Sequence, residues 1–263
     1  IEQYYSREDY ERAHGTDDFD GYWGIWDDPF LQYMGQMLNS TPQPFFASVF
    51  TLTSHHPFVV PDQYKDILPA GKTKVHKGVA YTDLAIRHFM EAASKEPWYR
   101  NTIFVFVADH VSSETFAPKT LTPTGNSHII CLLYTPDGAL KGADTHVTQQ
   151  IDLMPTLLGL VGYNKPYFAF GRDVLREKDR PAIAVNRMGE NYQAITDSLV
   201  LFFDGHKTLS AYTRADTLQQ HDISAHHTPA LERLERDLKA RLQQYYQHVE
   251  KSDYLVKEPT EKP

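Results

Sequence analysis

The sequence is poor in cysteine, in long apolar runs and in concentrated positive charge. Its 263 residues include one cysteine, Cys131, so no internal disulfide bond can form. None of its apolar stretches approaches the roughly 20 residues that a membrane-spanning helix needs. The net charge is -8 and no basic stripe is present, so we expect no nucleic-acid partner. The chain starts at Ile1 without a methionine, and we expect it to be a piece of a longer protein.

The residues that are present predict a folded α/β protein. The apolar fraction of 41% is enough for a hydrophobic core. In chain order we expect a strand over Phe45–Thr53, a helix over 74–95, strands over Thr102–Ala108 and Ile129–Tyr134, and a helix over Thr148–Leu160. This order predicts a mainly parallel sheet flanked by helices, in which the first two strands are adjacent.

The pattern changes after Gly171. Short strands with tight turns between them predict a small antiparallel ribbon over Ala182–Val185, Tyr192–Thr196 and Leu199–Phe203. A terminal amphipathic helix is predicted over Pro229–Val249, with leucines along one face. We therefore divide the chain into a catalytic part, residues 1–175, and a C-terminal ribbon and helix, residues 176–263, packed on the same domain.

The periodicity also predicts where individual side chains point. Val79, Ile151 and Met154 fall on the inner faces of their helices. Cys131 lies within an apolar strand, which predicts a buried and unreactive thiol. Trp23 stands beside a glycine, and we expect it to serve packing more than a substrate groove.

Asp109 and His110 come directly after the most apolar strand. In open α/β sheets, ligands bind at the carboxyl ends of the strands. A carboxylate and an imidazole at such an end are suitable ligands for Zn²⁺ or Mn²⁺. The alternative is an aspartate that caps the following turn beside a solvated histidine.

A second pair of chemically capable residues, His55 and His56, also follows a predicted buried strand. Two histidines at a strand end can ligate a metal, hold a phosphate or move protons. Histidines in polar loops are also commonly just solvated. Because both motifs follow strands of one predicted sheet at the same end, we expect the side chains of His55, Asp109 and His110 to converge within about 10 Å, one metal-and-phosphate span.

Residues 20–175 resemble the sulfatase-type catalytic domain of lipoteichoic acid synthases and related phosphoglycerol transferases. The resemblance is carried by the order and spacing of five stretches, which are PFFASVFTLTSHHPF, YTD, NTIFVFVADH, DLMPTLLGL and FGRDVL. It implies the alkaline phosphatase superfamily fold, present here only as its C-terminal part.

The resemblance also implies site residues and a cofactor. Asp109 and His110 match two ligands of one divalent cation, usually Mn²⁺, with Mg²⁺, Zn²⁺ or Ca²⁺ as alternatives. His55 matches the histidine that contacts the substrate phosphate. The remaining ligands, a glutamate and the nucleophilic threonine, belong to motifs that nothing before Phe45 matches. We therefore expect this chain alone to be inactive.

The sequence departs from the family pattern after the Asp-His pair. Family members usually have a glycine two positions after the histidine, whereas Val111-Ser112-Ser113-Glu114 follows here. We assign Ser112, Glu114 and His128 as candidate substrate-binding residues, His128 being the weakest because Ile130 stands where the family often has a proline. The unusual loop leaves a non-catalytic binding module as an alternative.

The functional expectation is metal-dependent transfer of a phosphoglycerol-like group to a cell-envelope glycan or lipid. The alternative within the superfamily is hydrolysis of a sulfate or phosphate ester. The expected partners are an anionic phospholipid or a phospho- or sulfo-glycan. By resemblance, the parent protein is membrane-anchored and works at the extracytoplasmic face of the cell membrane or in the periplasm.

Overall fold

The computed structural model describes residues 2–256, and the chain divides into two compact units. The first unit runs to Leu121 and includes Asn126–Gly142, and the second comprises Thr122–Gly125 and the residues from Ala143 onward. The first unit contains α1 (Arg7–His14), α2 (Asp27–Ser40), α3 (Lys74–Ala93), β1 (Phe104–Val107) and β2 (Cys131–Tyr134). The second contains α4 (Leu153–Leu160), β3 (Ile183–Met188), β4 (Asn191–Thr196), β5 (Leu199–Phe203), β6 (Thr208–Thr213) and α5 (Pro229–Lys251).

The division falls near Gly142 instead of residue 175, because the start of α4 is tied to residues that follow it. The buried Asp152 carboxylate accepts hydrogen bonds from the backbone amides of Gln149 (2.9 Å) and Arg172 (2.8 Å). The DLMPTLLGL and FGRDVL stretches are therefore joined within the second unit. The assignment of residues 1–175 as the catalytic part is a functional division and stays a prediction.

The core of the first unit forms where α2 and α3 pack together. Asp27 and Asp28 open α2, where negative charge favours the helix start. The buried face of α3 carries Val75, Gly78, Tyr81, Ala85, Phe89 and Ala93. Val79 is 52% exposed, so its predicted inward orientation is wrong.

Gly78 explains why the buried face of α3 is rotated away from the predicted one, which included Val79. A Cβ atom at this position would lie 2.9 Å from the carbonyl oxygen of Thr53 and 3.3 Å from the Cα of Ser54. The glycine thus lets α3 approach the backbone of the segment that precedes His55. A pattern of apolar residues does not reveal such a contact, because glycine contributes nothing to it.

The β-structure of the first unit differs from the sequence prediction. β1 pairs with β2 in antiparallel register, from Phe104 opposite Tyr134 to Val107 opposite Cys131. The predicted strand Phe45–Thr53 is not a strand, and Phe46 and Phe50 are 89% and 73% exposed. The prediction of a mainly parallel sheet with these strands adjacent is therefore wrong for the described residues, where both sheets are antiparallel. The mixed α/β class is confirmed.

Cys131 is exposed, which contradicts its predicted burial. Its cross-strand partner Val107, which shares its face of the two-stranded sheet, is 41% exposed, and its chain neighbours Ile130 and Leu132 are exposed on the other face. Partial enclosure of the sulfur raises the pKa of the Cys131 thiol, so the thiol stays largely protonated at neutral pH.

The second unit is a four-stranded antiparallel sheet, ordered β3-β4-β5-β6, with α5 packed on it. The predicted ribbon and terminal helix are confirmed, and β6 is an additional strand that the sequence pattern did not reveal. Leu234 and Leu238 of α5 pack with Ala194, Leu201 and Phe203 of the sheet. Ile151 and Met154 are 46% and 47% exposed, so their predicted burial is wrong.

Candidate active site

The Asp109–His110 pair lies just beyond the carboxyl end of β1. The two side chains are 63% and 69% exposed, and His110 Nε2 lies 3.4 Å from Asp109 Oδ2. The other carboxylate oxygen, Oδ1, accepts a hydrogen bond from the His110 backbone amide at 2.8 Å. The chain bends here, so that one potential ligand atom from each of two adjacent residues comes within 3.4 Å of the other.

The tautomer of the His110 ring suits a metal ligand. Its Nδ1 lies 2.7 Å from the Val111 carbonyl oxygen, which can only accept a hydrogen bond. Nδ1 therefore carries the hydrogen, and in the neutral ring Nε2 presents a lone pair. A ligating histidine typically has this arrangement, in which the second ring nitrogen donates to a backbone carbonyl.

The donor spacing also fits one shared cation. Two ligand atoms about 2.1 Å from one ion, at a tetrahedral angle, lie roughly 3.4 Å apart. The separation of Nε2 and Oδ2 has this value. A cation can be shared by two acceptor atoms at this distance. The residues therefore fit a divalent cation, although no third His, Cys, Asp or Glu joins them within residues 2–256.

His55 lies in the turn that follows the 45–53 segment. Its side chain is exposed, and its Nδ1 lies 2.9 Å from the carbonyl oxygen of His56. Nδ1 therefore carries a hydrogen, so Nε2 is the nitrogen available for a substrate. Nε2 donates a hydrogen bond to a phosphate oxygen only when the ring is an imidazolium.

Trp23 fixes this turn and is a residue whose role the sequence analysis missed. Its Nε1 donates a hydrogen bond to the His56 carbonyl oxygen at 2.7 Å. Its ring stands edge-on to the His55 ring, with centroids 4.4 Å apart. The two residues are more than 30 positions apart in sequence, so no local pattern could have connected them.

In the longest protein in which this chain occurs, we expect Trp23→Ala to lower turnover of a phosphodiester about tenfold, because both the hydrogen bond and the ring contact that hold His55 are lost. Trp23→Phe keeps a ring beside His55 and should lose less. Tyr22→Ala is the matched control, since Tyr22 is an adjacent and exposed aromatic residue. The ¹⁵N shifts of the His55 ring should change in Trp23→Ala only; unchanged shifts would show that Trp23 does not position this ring.

Asp27 anchors the backbone that leads to His55. The carboxylate is buried and accepts hydrogen bonds from the amides of Leu52 (2.7 Å) and Thr53 (3.0 Å). It also accepts one from the hydroxyl of Thr82 on α3, at 2.6 Å. One side chain thus joins α2, α3 and the segment two residues before His55.

This contact explains the YTD stretch on α3. Thr82 is bound to Asp27, whereas Tyr81 is almost fully buried. Burial, together with the nearby Asp28 carboxylate, raises the pKa of Tyr81, so its hydroxyl stays neutral. Asp83 is exposed and faces Arg87 at 3.7 Å. Tyr81 and Thr82 therefore support the site, whereas Asp83 lies on the surface.

The loop that lacks the family glycine is held by its own side chains. The Glu114 carboxylate accepts a hydrogen bond from the amide of Val75, in the first turn of α3, at 3.1 Å. The Glu114 amide donates to the hydroxyl of Ser112, also at 3.1 Å. The loop is thereby attached to α3 without a glycine turn. Substrate contacts by Ser112 and Glu114 stay predictions.

His128 lies at the same end of the two-stranded sheet as Asp109 and His110. The antiparallel pairing brings this about, because the amide of Ala108 donates to the carbonyl oxygen of Ile130 (3.4 Å) just beyond the paired strands. Residues before Ile130 therefore run beside residues after Ala108. His128 is exposed there, and its substrate role stays a prediction, as does the convergence of His55 with Asp109 and His110.

Comparison with known proteins first defines the fold. A crystal structure of a protein in the alkaline phosphatase superfamily from Vibrio parahaemolyticus matches 94% of this chain and 60% of its own, with a TM-score of 0.75 and 24% identity. The chain therefore has the alkaline phosphatase superfamily fold, as the sequence predicted.

The family follows from the sequence comparisons. The Sulfatase family model matches residues 1–163, and the chain belongs to this family. It is 30% identical over 209 residues to the lipoteichoic acid synthase-like protein YvgJ of Bacillus subtilis, covering 72% of this chain and 33% of that protein. It is 27% identical to lipoteichoic acid synthase 2 of the same organism, covering 61% and 27%. The resemblance seen in the sequence is confirmed, and the chain spans about a third of these relatives.

Proposed function

We propose that this chain supplies part of the active site of an enzyme that transfers a phosphoglycerol-like group to a cell-envelope glycan or lipid. The observation that carries the proposal is the arrangement of Asp109 and His110, whose donor atoms lie 3.4 Å apart with the His110 tautomer fixed. The similarity to lipoteichoic acid synthases supports the choice of phosphoglycerol as the transferred group.

Each site residue has a distinct part in the proposed reaction. Asp109 and His110 hold a divalent cation, Mn²⁺ in our proposal, through Oδ2 and Nε2. When bound, such an ion neutralises charge that develops on the transferring group and on the attacking oxygen. His55, as imidazolium, donates a hydrogen bond from Nε2 to a non-bridging phosphate oxygen. Trp23 and Asp27 keep His55 in place for this contact.

The proposed metal site receives two ligands from this chain. Catalytic zinc sites usually have three protein ligands, and two ligands with water suit a loosely held ion better than a closed site. We infer that a further carboxylate and a threonine nucleophile, as in the family resemblance, come from residues outside residues 2–256. The chain by itself is then a weak metal binder without a nucleophile.

The test compares the chain alone with the longest protein in which it occurs. We expect calorimetric titration with Mn²⁺ to show weak binding or none for the chain, and no turnover of a chromogenic phosphodiester. The longer protein should bind Mn²⁺ stoichiometrically and turn the diester over. Tight binding and turnover by the chain alone would show that a complete site exists here.

The second candidate function is hydrolysis of a sulfate or phosphate ester, which membership of the Sulfatase family favours. The same titrated samples distinguish the two reactions. Release of sulfate from an aryl sulfate, without transfer of a phosphoglycerol group to an added acceptor, would replace our proposal with this one. A longer protein that binds its ligands but turns over neither substrate would indicate a non-catalytic module.

The cellular location is also a proposal. No helix within residues 2–256 is both long and apolar enough to cross a bilayer. From the similarity to lipoteichoic acid synthases, we propose that the parent protein works at the extracytoplasmic face of the membrane or in the periplasm, with an anionic phospholipid or a phospho- or sulfo-glycan as partner.

A further inference from the structure

A cavity of about 660 Å³ opens between three segments of the first unit. Phe58 lines it from the turn that carries His55, and Ser113 and Thr115 line it from the loop after His110. The start of α3 and the residues before it form the third wall. The cavity is thus built from the two loops that carry the candidate site residues.

The charges around this cavity are mostly positive. Lys72, Lys74 and Lys77 line it, against one carboxylate, that of Glu114. The Glu114 carboxylate already accepts the hydrogen bond of the Val75 amide. The negative charge is therefore hydrogen-bonded to the helix start, while three lysines line an open space large enough for a small ligand.

Two of the three lysines are restrained by their neighbours. Lys72 Nζ lies 5.1 Å from the centre of the Phe116 ring, within reach of a cation–π contact. Lys77 Nζ donates to the Lys65 carbonyl oxygen at 2.7 Å. A lysine ammonium has three hydrogens, so Lys77 keeps two for a ligand. Restrained ammonium groups lose less conformational entropy when an anion binds.

The cavity wall also contains an unusual backbone conformation. Phe58 has a φ angle of 62°, in the left-handed region that bulky residues rarely adopt. Its amide donates to the carbonyl oxygen of His55 at 2.8 Å. Strained residues of this kind concentrate at ligand sites. Here the strained residue, Phe58, both lines the cavity and is hydrogen-bonded to His55.

From the three lysines and the cavity they line, we infer that this cavity binds a second anionic group of the substrate, a phosphate or sulfate next to the one that reacts. The inference rests on the proposed function for the identity of the molecule that carries this group. A substrate with repeated anionic groups would then be held at two points, at His55 and at the lysines. Binding at the lysines needs neither the metal ion nor turnover.

The experiment is an NMR titration of the chain in EDTA, with a glycerol phosphate trimer in one arm and a disulfated disaccharide in the other. We expect saturable shifts at the amides of Ser113 and Thr115 in at least one arm, and the arm that binds identifies the phosphate or the sulfate source. The combined change Lys72→Gln, Lys74→Gln and Lys77→Gln should weaken this binding about tenfold. Added salt should weaken it as well.

The matched control is Lys95→Gln, Lys141→Gln and Lys165→Gln, which removes the same charge from exposed positions outside the cavity. It should bind the probe within about twofold of the unchanged chain. Absence of saturable shifts at Ser113 and Thr115 with both probes would overturn the inference, as would equal weakening in the two triple variants. If the chain binds a probe saturably while the longest protein in which it occurs turns over no ester, the cavity is supported and the proposed function is refuted.

Discussion

Asp109→Ala is expected to lower metal-dependent turnover of a phosphodiester by a factor of about 10³ or more in the longest protein in which this chain occurs. The carboxylate faces His110 Nε2 at 3.4 Å and offers one of two donor atoms for the proposed cation. A bound metal ion contributes several kcal/mol to the stabilisation of a phosphoryl-transfer transition state, which corresponds to about three powers of ten in rate. Binding of Mn²⁺, measured by calorimetry, should weaken in the same variant.

The chain provides a matched control for this prediction. Asp137 is an exposed aspartate that follows β2 at the opposite end of the same two-stranded sheet, where its carboxylate accepts a hydrogen bond from the Ala139 amide. Asp137→Ala should leave turnover and Mn²⁺ binding unchanged within about twofold. If Asp109→Ala retains full Mn²⁺ affinity, the assignment of Asp109 as a ligand is wrong, whatever happens to turnover.

The candidate site could be predicted to a large extent, because its residues come directly after apolar segments. The β-branched and aromatic run that ends at Ala108 gave the position of β1, and the polar residues that follow had to lie at its end. The donor geometry of His110 could not be predicted, since it depends on one hydrogen bond to Val111. Nor did any pattern reveal Trp23, whose partners lie more than 30 residues away.

The 45–53 segment shows why the sheet was predicted incorrectly. Its apolar residues are typical of a strand buried on both faces. In the described residues no strand pairs with it, and the backbone amides of Leu52 and Thr53 bind the Asp27 side chain. Composition reports that a segment is suited to burial, whereas its pairing depends on which other segments are beside it. The C-terminal ribbon was predicted well because its strands pair with sequence neighbours across short turns.

The antiparallel pairing of β1 and β2 has a consequence for the site. In a parallel pair, residues that precede the second strand would lie at the end opposite Asp109. The observed register places His128 at the same end as Asp109 and His110. Because the sequence prediction assumed a mainly parallel sheet, it could not place His128 at the same end as Asp109 and His110, which is the main structural support for His128 as a site residue.

Asp27→Ala is expected to lower the free energy of unfolding by about 3–5 kcal/mol. The change leaves the buried amide of Thr53, the partly buried amide of Leu52 and the Thr82 hydroxyl without the acceptor that now satisfies them. Each such loss costs about 1–3 kcal/mol, and hydrogen bonds to a charged group lie at the upper end of this range. Asp27→Asn keeps one acceptor oxygen for the two amides, so its loss should be smaller, about 1–2 kcal/mol.

The measurement is urea denaturation, followed by circular dichroism, of the chain and its variants. Asp83→Ala is the control, because Asp83 belongs to the same YTD stretch but is 74% exposed and makes an ion pair of 3.7 Å with Arg87. Removal of such a surface pair should change the unfolding free energy by no more than about 0.5 kcal/mol. Hydrogen exchange should accelerate at Leu52 and Thr53 in Asp27→Asn, where the chain remains folded. If Asp27→Ala is no more destabilising than Asp83→Ala, Asp27 does not anchor the segment that positions His55.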